Sequence, residues 1–364
     1  MKFPSVVLLI FIVCSTLQSC NTWQQKDYAS LTGSIAVQYK DKKSSYKWDF
    51  IRNVNKKLSA TGRTVFEDGR LLSLHINQCT LAGLNYQASR LAFFDTALSR
   101  INPLEQKVAN YLTTNRNLLF VEFWDDSLFL YDFSNRTIKR YNVTDNSLIY
   151  SRQLRDSVGI YRVGRLSDDQ YIFAQPRDSL MDVDFILLDA ARDSIKATWS
   201  LNELLQITNK KPFPSMAYDG QFITHSTSDY LVYYCSFTGR FIYFNKSGKP
   251  TAVQGVTIDK TPAPHAFYVS ITPKNKSLEI KPDIMFFTSA CLYNNELYLL
   301  NSINESGDYV VDVYDLERKG NYKESFFVPR NGKAEGPVSI ALQDGVLFVL
   351  YKNQSIIKYA INHF

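Results

Sequence analysis

The chain has 364 residues, enough for two average domains or one large closed β architecture. Its hydrophobic content of 45% excludes a largely disordered protein, and its aromatic share of 14% comes almost wholly from Tyr and Phe, which favour half-buried pleated surfaces, so the composition predicts an all-β fold. The formal charge of +6 arises from interleaved basic and acidic residues without a basic, aromatic-rich stripe, so we expect no nucleic-acid partner.

The first twenty residues are typical of a targeting segment. Lys2 is followed by an apolar run of eight residues, Val6 to Val13, which is too short to span a bilayer because a spanning helix takes ~20 residues. The segment ends in Leu17-Gln-Ser-Cys20, which resembles the lipobox of bacterial lipoproteins. The alternative is a plain secretory signal in which Cys20 is incidental.

The lipobox resemblance implies a signal peptide at 1–19 and a lipidated Cys20 that anchors the mature chain to the membrane. By the same resemblance, Asn21 argues against retention in the inner membrane, so we expect a lipid-anchored protein of the bacterial cell envelope at the outer membrane. Residues 20–33 are polar and without periodicity, which is typical of a tether. We assign 34–364 to one folded domain.

Short β-like runs preceded by turn residues recur through this domain. The opening turns fall at positions 69, 117, 169, 220, 295 and 345, which are 48, 52, 51, 75 and 50 residues apart. A nearly constant period with dense strands is typical of a β-propeller, in which four-stranded blades surround a central channel. A β-sandwich would not explain the period.

The repeats predict six blades, with the last blade completed by an N-terminal strand because too few residues follow Ala360 to supply its outer strand. The candidates for that strand are 34–39 and 46–50. Seven blades is the alternative, if the 75-residue interval conceals a degenerate blade. That interval otherwise holds an insertion at about 248–282.

A helical excursion is predicted where Ser200 and Glu203 form a capping box before Leu204 and Leu205.

Three cysteines remain after Cys20, at 79, 235 and 291. Their spacings make zinc improbable. We interpret Cys235 and Cys291 as small buried hydrophobic residues because they lie in apolar β-like runs.

The histidines are the main candidates for ligand binding or acid–base chemistry. His75 and His225 lie six and five residues after Gly69 and Gly220, which predicts matching places near one end of two inner strands. They are either channel-facing ligands or bases, or strand-end histidines bonded to loops. His265 lies in the insertion and is expected in an exposed loop.

No motif of an activated nucleophile is present, and we expect no catalytic residues, cofactor or metal site. The aspartate pairs at 125–126 and 168–169 lie at blade turns, where Asp is favoured regardless of function.

The lipobox, the single repeat domain and the strands that end in Tyr-Asp at 131–132 and 314–315 resemble a group of bacterial lipoproteins of unknown function whose domain is a six-bladed, TolB-like β-propeller. The resemblance implies a fold and a location, and no catalytic residues. We therefore expect a membrane-anchored, non-catalytic binding or scaffold propeller with a protein or glycan partner, for which the insertion is the candidate contact. The alternative is a glycan-acting hydrolase or lyase with its site at the channel mouth.

Overall fold

The computed structural model describes residues 33–40, 47–77, 79–85, 90–101, 118–124, 127–132, 134–142, 145, 147–154, 162–177, 182–205, 218–251, 255–256, 265–270, 276–281, 287–303, 308–332 and 335–363. The predicted signal peptide, Cys20 and the aspartate pair at 125–126 lie outside these residues. No helix in the described part of the chain has the length and hydropathy needed to cross a membrane.

Strands dominate the described residues and assemble into seven sheets, of which six, called blades 1 to 6, form the ring and one is a separate two-stranded hairpin. The first three strands, β1 (Gly33–Lys40), β2 (Lys47–Val54) and β3 (Lys56–Val65), join blades formed by later parts of the chain. Blade 1 contains β4 (Ser73–Asn77), β5 (Thr80–Asn85) and β6 (Arg90–Asp95); blade 2 contains β7 (Leu118–Trp124), β8 (Ser127–Asp132), β9 (Thr137–Asn142) and β10 (Leu148–Gln153); blade 3 contains β11 (Arg162–Arg165), β12 (Gln170–Arg177), β13 (Asp182–Asp189) and β14 (Ser194–Ser200).

The second half of the chain repeats this pattern. Blade 4 contains β15 (Gly220–Ile223), β16 (Tyr230–Cys235), β17 (Arg240–Asn245) and β18 (Gly255–Val256); a separate hairpin contains β19 (His265–Ser270) and β20 (Lys276–Lys281); blade 5 contains β21 (Phe287–Tyr293), β22 (Glu296–Ile303), β23 (Asp308–Asp315) and β24 (Asn321–Val328); blade 6 contains β25 (Pro337–Gln343), β26 (Val346–Tyr351) and β27 (Ser355–His363). The six-bladed β-propeller predicted from the repeats is confirmed.

In the described residues, six hydrophobic clusters hold the blades together, and each cluster lies between two neighbouring blades. Between blades 1 and 2, for example, Phe93 packs against Phe123 with ring centroids 6.2 Å apart. The ring closes because Leu74 and Phe94 of blade 1 share a cluster with Phe348 of blade 6. Apolar burial between blades is therefore the main source of stability.

An N-terminal strand completes blade 6, as predicted, but the predicted strand was wrong. β3 pairs antiparallel with β27, from Val65 opposite Ser355 to Lys56 opposite His363. The segment 34–39 and residues 47–50 instead fall in the hairpin β1–β2, whose second strand joins the β24 edge of blade 5. Residue 46 lies outside the described residues. β3 escaped prediction because most of its side chains are exposed, as befits an outer strand, so it shows little hydrophobic alternation.

A buried ion pair fixes the β1–β2 hairpin to blade 5. Nε and Nη2 of Arg52 on β2 donate to the two carboxylate oxygens of Asp312 on β23, both at 2.9 Å. Neither side chain is exposed to solvent. Asn301 and Ser325 also donate to Asp312, so the carboxylate is paired and hydrogen-bonded, as a buried charge requires.

The sequence repeats marked the blades without a constant register. The turn at Gly220 opens the inner strand of blade 4. The turns that precede residues 170, 296 and 346 instead lie between the first and second strands of their blades. Among its described residues, the long interval holds the hairpin β19–β20 and no seventh blade, so the seven-blade alternative was wrong.

The predicted helical excursion is present as one short helix, α1 (Leu201–Leu204), which follows the outer strand of blade 3. The backbone N–H of Glu203 donates to Oγ of the N-cap residue Ser200 at 3.3 Å. This is the bond that the capping box predicts.

Candidate functional site

A cavity lies at the centre of the ring, near the carboxyl ends of the inner strands. Five blades contribute to its lining, through β4, β7, β21 and β25 and through the end of β15 with the turn that follows. Its volume is about 60 Å³, which is room for roughly four to six water molecules. Most of the wall is Leu, Ile, Ala and Phe, and the titratable side chains in it are His75, Glu122, His225 and Cys291.

Glu122 is the most unusual of these groups. It occupies the inner strand of blade 2, it is 5% exposed, and neither of its carboxyl oxygens has a hydrogen-bond partner among the described residues. Burial raises the pKa of Glu122 to about 8, against a smaller lowering by the positive charge of Arg165. At pH 7 the folded protein therefore holds this group mainly as a neutral acid, since a carboxylate without partners is costly inside a protein.

Arg165 supplies the positive charge that acts on Glu122. It lies on the inner strand of blade 3, and its guanidinium stacks at 4.0 Å from the ring centroid of Phe129, the residue opposite Glu122 across β7 and β8. Its Nη2 also donates to Asp168. The cation is thus already engaged by a carboxylate and an aromatic face, which explains why it does not offset the burial of Glu122.

His225 is held in one tautomer by the turn after β15. The backbone N–H of Thr227 donates to Nδ1 of His225 at 3.2 Å, and Oγ1 of Thr227 lies 2.9 Å from the same nitrogen. An accepting Nδ1 places the ring proton on Nε2. Burial lowers the pKa of His225 to about 4, so the ring is neutral. Its buried Nε2 finds no hydrogen-bond partner in the part of the chain that the structure describes.

The two other titratable groups in the cavity are also neutral near pH 7. His75 is half-buried at the middle of β4, and burial lowers its pKa to about 4. Burial raises the pKa of the Cys291 thiol far above its usual range. The cavity therefore presents hydrogen-bonding groups without a charge of its own.

The structure brings two of the predicted histidines together and separates the third. His75 and His225 both line the cavity, and whether they hold a ligand stays a prediction. His265 is the first residue of β19 and pairs in register with Lys281, so the expected loop position was wrong. Its tendency to form a strand was hidden by the prolines that precede it.

The remaining sequence candidates have structural partners. Asp168 and Asp169 are exposed and form ion pairs with arginines on blades 2 and 3. Cys235 is fully buried, as predicted, whereas Cys291 is only half-buried. Among the described residues, no group of three or more His, Cys, Asp or Glu side chains could hold a metal ion.

Sequence reasoning missed Glu122. The available signal was a single acid inside the apolar run 118–124, where each neighbour is hydrophobic. A lone carboxylate in a strand of this kind is either on a solvated face or buried at a site, and the pattern alone does not decide between them.

No protein-family model matches the chain, and no curated protein matches it. Among solved structures it is similar to BamB from Moraxella catarrhalis at 10% identity, over 86% of this chain and 92% of that one, with a TM-score of 0.39. It is also similar to a streptogramin B lyase at 10% identity, over 85% of this chain and 98% of that one, with a TM-score of 0.43. Similarities this weak carry no argument about function, which therefore rests on the residues of the chain itself.

Proposed function

We propose that the protein is a non-catalytic binding propeller of the bacterial cell envelope, of the TolB-like kind, anchored to the outer membrane through Cys20. In this proposal the hairpin β19–β20 contacts a protein partner. The lipobox-like sequence 17–20 supports the anchor, since acylation of one cysteine by two or three chains gives stable membrane attachment. The six-bladed ring supplies a rigid support for the hairpin.

The observation that carries the proposal is that the hairpin forms a two-stranded sheet of its own. Within the described residues, β19 and β20 pair with each other and with no strand of a blade. A lone two-stranded hairpin is marginally stable in water, and its unpaired edges are templates for strand addition. A partner that adds a strand or covers one face would satisfy those edges.

The charge of the hairpin indicates the kind of partner. Residues 265–281 contain three lysines, at 274, 276 and 281, against one glutamate, at 279. An acidic protein surface would complement this sequence and speed the encounter.

Crosslinking in intact cells tests the partner. We expect specific adducts of the full chain to disappear when Lys274, Lys276 and Lys281 are changed together to Glu. A matched control changes three exposed blade lysines, Lys249, Lys319 and Lys352, to Glu. Adducts that survive the hairpin change, or that vanish equally in the control, would reject the hairpin as the contact.

Cell fractionation tests the anchor separately. Cys20→Ala should move the protein from the membrane fraction to the soluble fraction, because the acyl chains provide the attachment. A variant that remains in the outer membrane would show that Cys20 is not the anchor.

The convergence of Glu122, His75 and His225 favours a second candidate, a hydrolase or lyase that acts on a glycan at the channel. Hydrolysis of a glycosidic bond uses two carboxyl groups ~5 to ~9 Å apart. Among the described residues that line the cavity, Glu122 is the one carboxylic acid. The described lining therefore supplies one of the two acids that hydrolysis uses, so binding without hydrolysis fits the geometry better.

A further inference from the structure

The hairpin β1–β2 is fixed to blade 5 at one end. Besides the buried ion pair of Arg52, Nζ of Lys56, just after β2, lies 2.6 Å from Oε1 of Glu324, and both side chains are largely buried. A backbone bridge between Val54 and Ser325 joins β2 to β24. Among the described residues, no other bridge links the hairpin to a blade. The hairpin is therefore held firmly at Val54, and its opposite end lies seven residues away along each strand.

That opposite end, residues 39–40 and 47–48, combines an aromatic pair with a basic pair, and we call it the basic end. Tyr39 lies opposite Trp48 in the register of the two strands, and Lys40 lies opposite Lys47. Like charges directly opposite each other destabilise a strand pair. From 40 to 49 the sequence contains four lysines and two aspartates, so the acids do not balance the charge. A negatively charged partner would relieve this repulsion.

Aromatic and basic residues together indicate a membrane surface as that partner. Lysines within a Debye length of a membrane are attracted by its anionic headgroups. Trp and Tyr are enriched where a membrane meets water, because their rings are largely apolar and each carries one polar group. A soluble anion would need the lysines only, whereas an anionic phospholipid surface uses both residue types.

The tether places the basic end within reach of such a surface. Gly33 lies opposite Val54 at the fixed end of the hairpin, so about 24 Å of strand separates it from the basic end. Gly33 follows Cys20 by 13 residues, which span about 20 Å as a flexible chain and about 45 Å when fully extended. The relaxed tether and the hairpin thus have similar lengths, and the basic end can rest on a membrane that holds Cys20 without stretching the tether.

We propose that the basic end of the hairpin β1–β2 docks on an anionic phospholipid surface, with Lys40 and Lys47 at the headgroups and Tyr39 and Trp48 at the membrane interface. Because the other end of the hairpin is fixed to blade 5, docking sets the orientation of the propeller on the membrane. Proximity to the membrane rests on the anchor at Cys20 proposed above. The hairpin β19–β20 stays available to its protein partner.

Hydrogen exchange of the full chain on lipid vesicles tests the docking. The vesicles contain phosphatidylcholine alone or with one third phosphatidylglycerol, and mass spectrometry of peptides locates the change. We expect the amides of β1 and β2 to exchange at least about fivefold more slowly on the anionic vesicles, and those of the blades to exchange equally on both. Salt at 1 M should remove the difference, because the Debye length falls to about 3 Å.

One substitution separates docking from the stability of the hairpin. Lys47→Glu places opposite charges across the two strands, so in detergent the hairpin should exchange no faster than in the wild type. On anionic vesicles the same variant should lose the slow exchange, because the attraction to the headgroups is gone. Lys249→Glu, at an exposed lysine after blade 4 strand β17, is the matched control and should keep the slow exchange.

Three results would overturn the proposal. These are equal exchange of the wild-type hairpin on both kinds of vesicle, slow exchange that Lys47→Glu retains, and slow exchange that soluble glycerol phosphate reproduces in detergent, which would assign the basic end to a soluble anion. Flotation with neutral vesicles reports the anchor separately. A wild type that floats only with anionic vesicles, and whose hairpin is protected there, would reject the anchor at Cys20 and still support the docking surface.

Discussion

Replacing Glu122 with leucine should stabilise the protein, although the residue is buried and lines the central cavity. The wild-type carboxyl oxygens are buried and have no hydrogen-bond partner within the described ranges of the chain. Leucine removes this cost, and the adjacent cavity provides room for the slightly larger side chain. Leaving a buried polar group unsatisfied costs about 1–3 kcal/mol, which is the gain expected for Glu122→Leu at pH 5.

The gain should increase with pH. Burial raises the pKa of Glu122 from 4.5 to about 8, so between these values the folded chain holds a proton that the unfolded chain has released. The free energy of unfolding of the wild type then falls as the pH rises, by up to about 1.4 kcal/mol per pH unit. Leucine does not titrate, so the difference between variant and wild type should grow by about 2–3 kcal/mol from pH 5 to pH 7.

Thermal unfolding at several pH values measures both effects. An unfolding entropy of about 2.1 cal/mol/K per residue over roughly 300 residues makes 1 kcal/mol equal to about 1.6 °C in Tm. The expected increase is therefore about 2–5 °C at pH 5, with about 4 °C more at pH 7. Glu122→Gln separates the cost of the unpaired polar group from the cost of ionisation, because glutamine keeps a buried polar group but does not titrate.

Two results would refute the reasoning. A destabilised Glu122→Leu would mean that the carboxyl group has a stabilising partner. A gain that does not change with pH would mean that Glu122 ionises normally in the folded state. The exposed Glu67→Leu substitution should show neither the gain nor its pH dependence.

Three other predictions concern different parts of the molecule. Arg52→Met leaves its carboxylate partner on β23 buried without a counter-charge, so we expect a loss of about 3–5 kcal/mol, or about 5–8 °C in Tm by calorimetry; an unchanged Tm would mean that the pair is solvated. His75 and His225 have pKa values lowered to about 4, so the unfolded chain binds more protons than the folded chain between pH 6.5 and 4. The free energy of unfolding of the wild type should therefore fall by up to about 3 kcal/mol per histidine as the pH drops over that range. Urea titrations of His225→Phe should show a smaller fall, and an unchanged fall would contradict the lowered pKa of His225. Cys79 is exposed, whereas Cys235 is buried and its pKa is raised to about 12. An alkylating reagent should therefore modify Cys79 in the native protein and Cys235 only after unfolding, as measured by mass spectrometry. Equal modification rates would contradict this difference in exposure.

The sequence predicted the fold well because a propeller repeats its strongest signals. Apolar inner and central strands occur in each blade, and turn residues separate them, so six copies reinforce one another. The closing strand gave no such signal. β3 is polar and largely exposed on both faces, and its place is set by the free edge of β27. The hairpin β1–β2 looked more strand-like and was therefore assigned the wrong partner.

The candidate site was predictable only in part. His75 and His225 lie six and five residues after Gly69 and Gly220, and both line the cavity, His75 from the middle of β4 and His225 from the turn after β15. Whether they hold a ligand stays a prediction. Glu122 depends on which face of β7 turns inward and on what lies opposite it, and both are properties of the assembled ring. Whether a buried carboxyl group has a hydrogen-bond partner depends on the folded structure, so the sequence pattern does not predict it.

The pairing of β3 with β27 imposes an order of events on synthesis. Val65 opposes Ser355, so at about 5–20 residues per second the ribosome makes the partner of β3 roughly 15–60 s after β3 itself. Blades 1 to 5 can assemble during that interval, whereas the ring remains an open arc. The lysines at 56 and 57 and Arg63, on an otherwise unpaired strand, discourage association with other edges while it waits. Synthesis of β27, and not the growth of any one blade, is the event that permits closure.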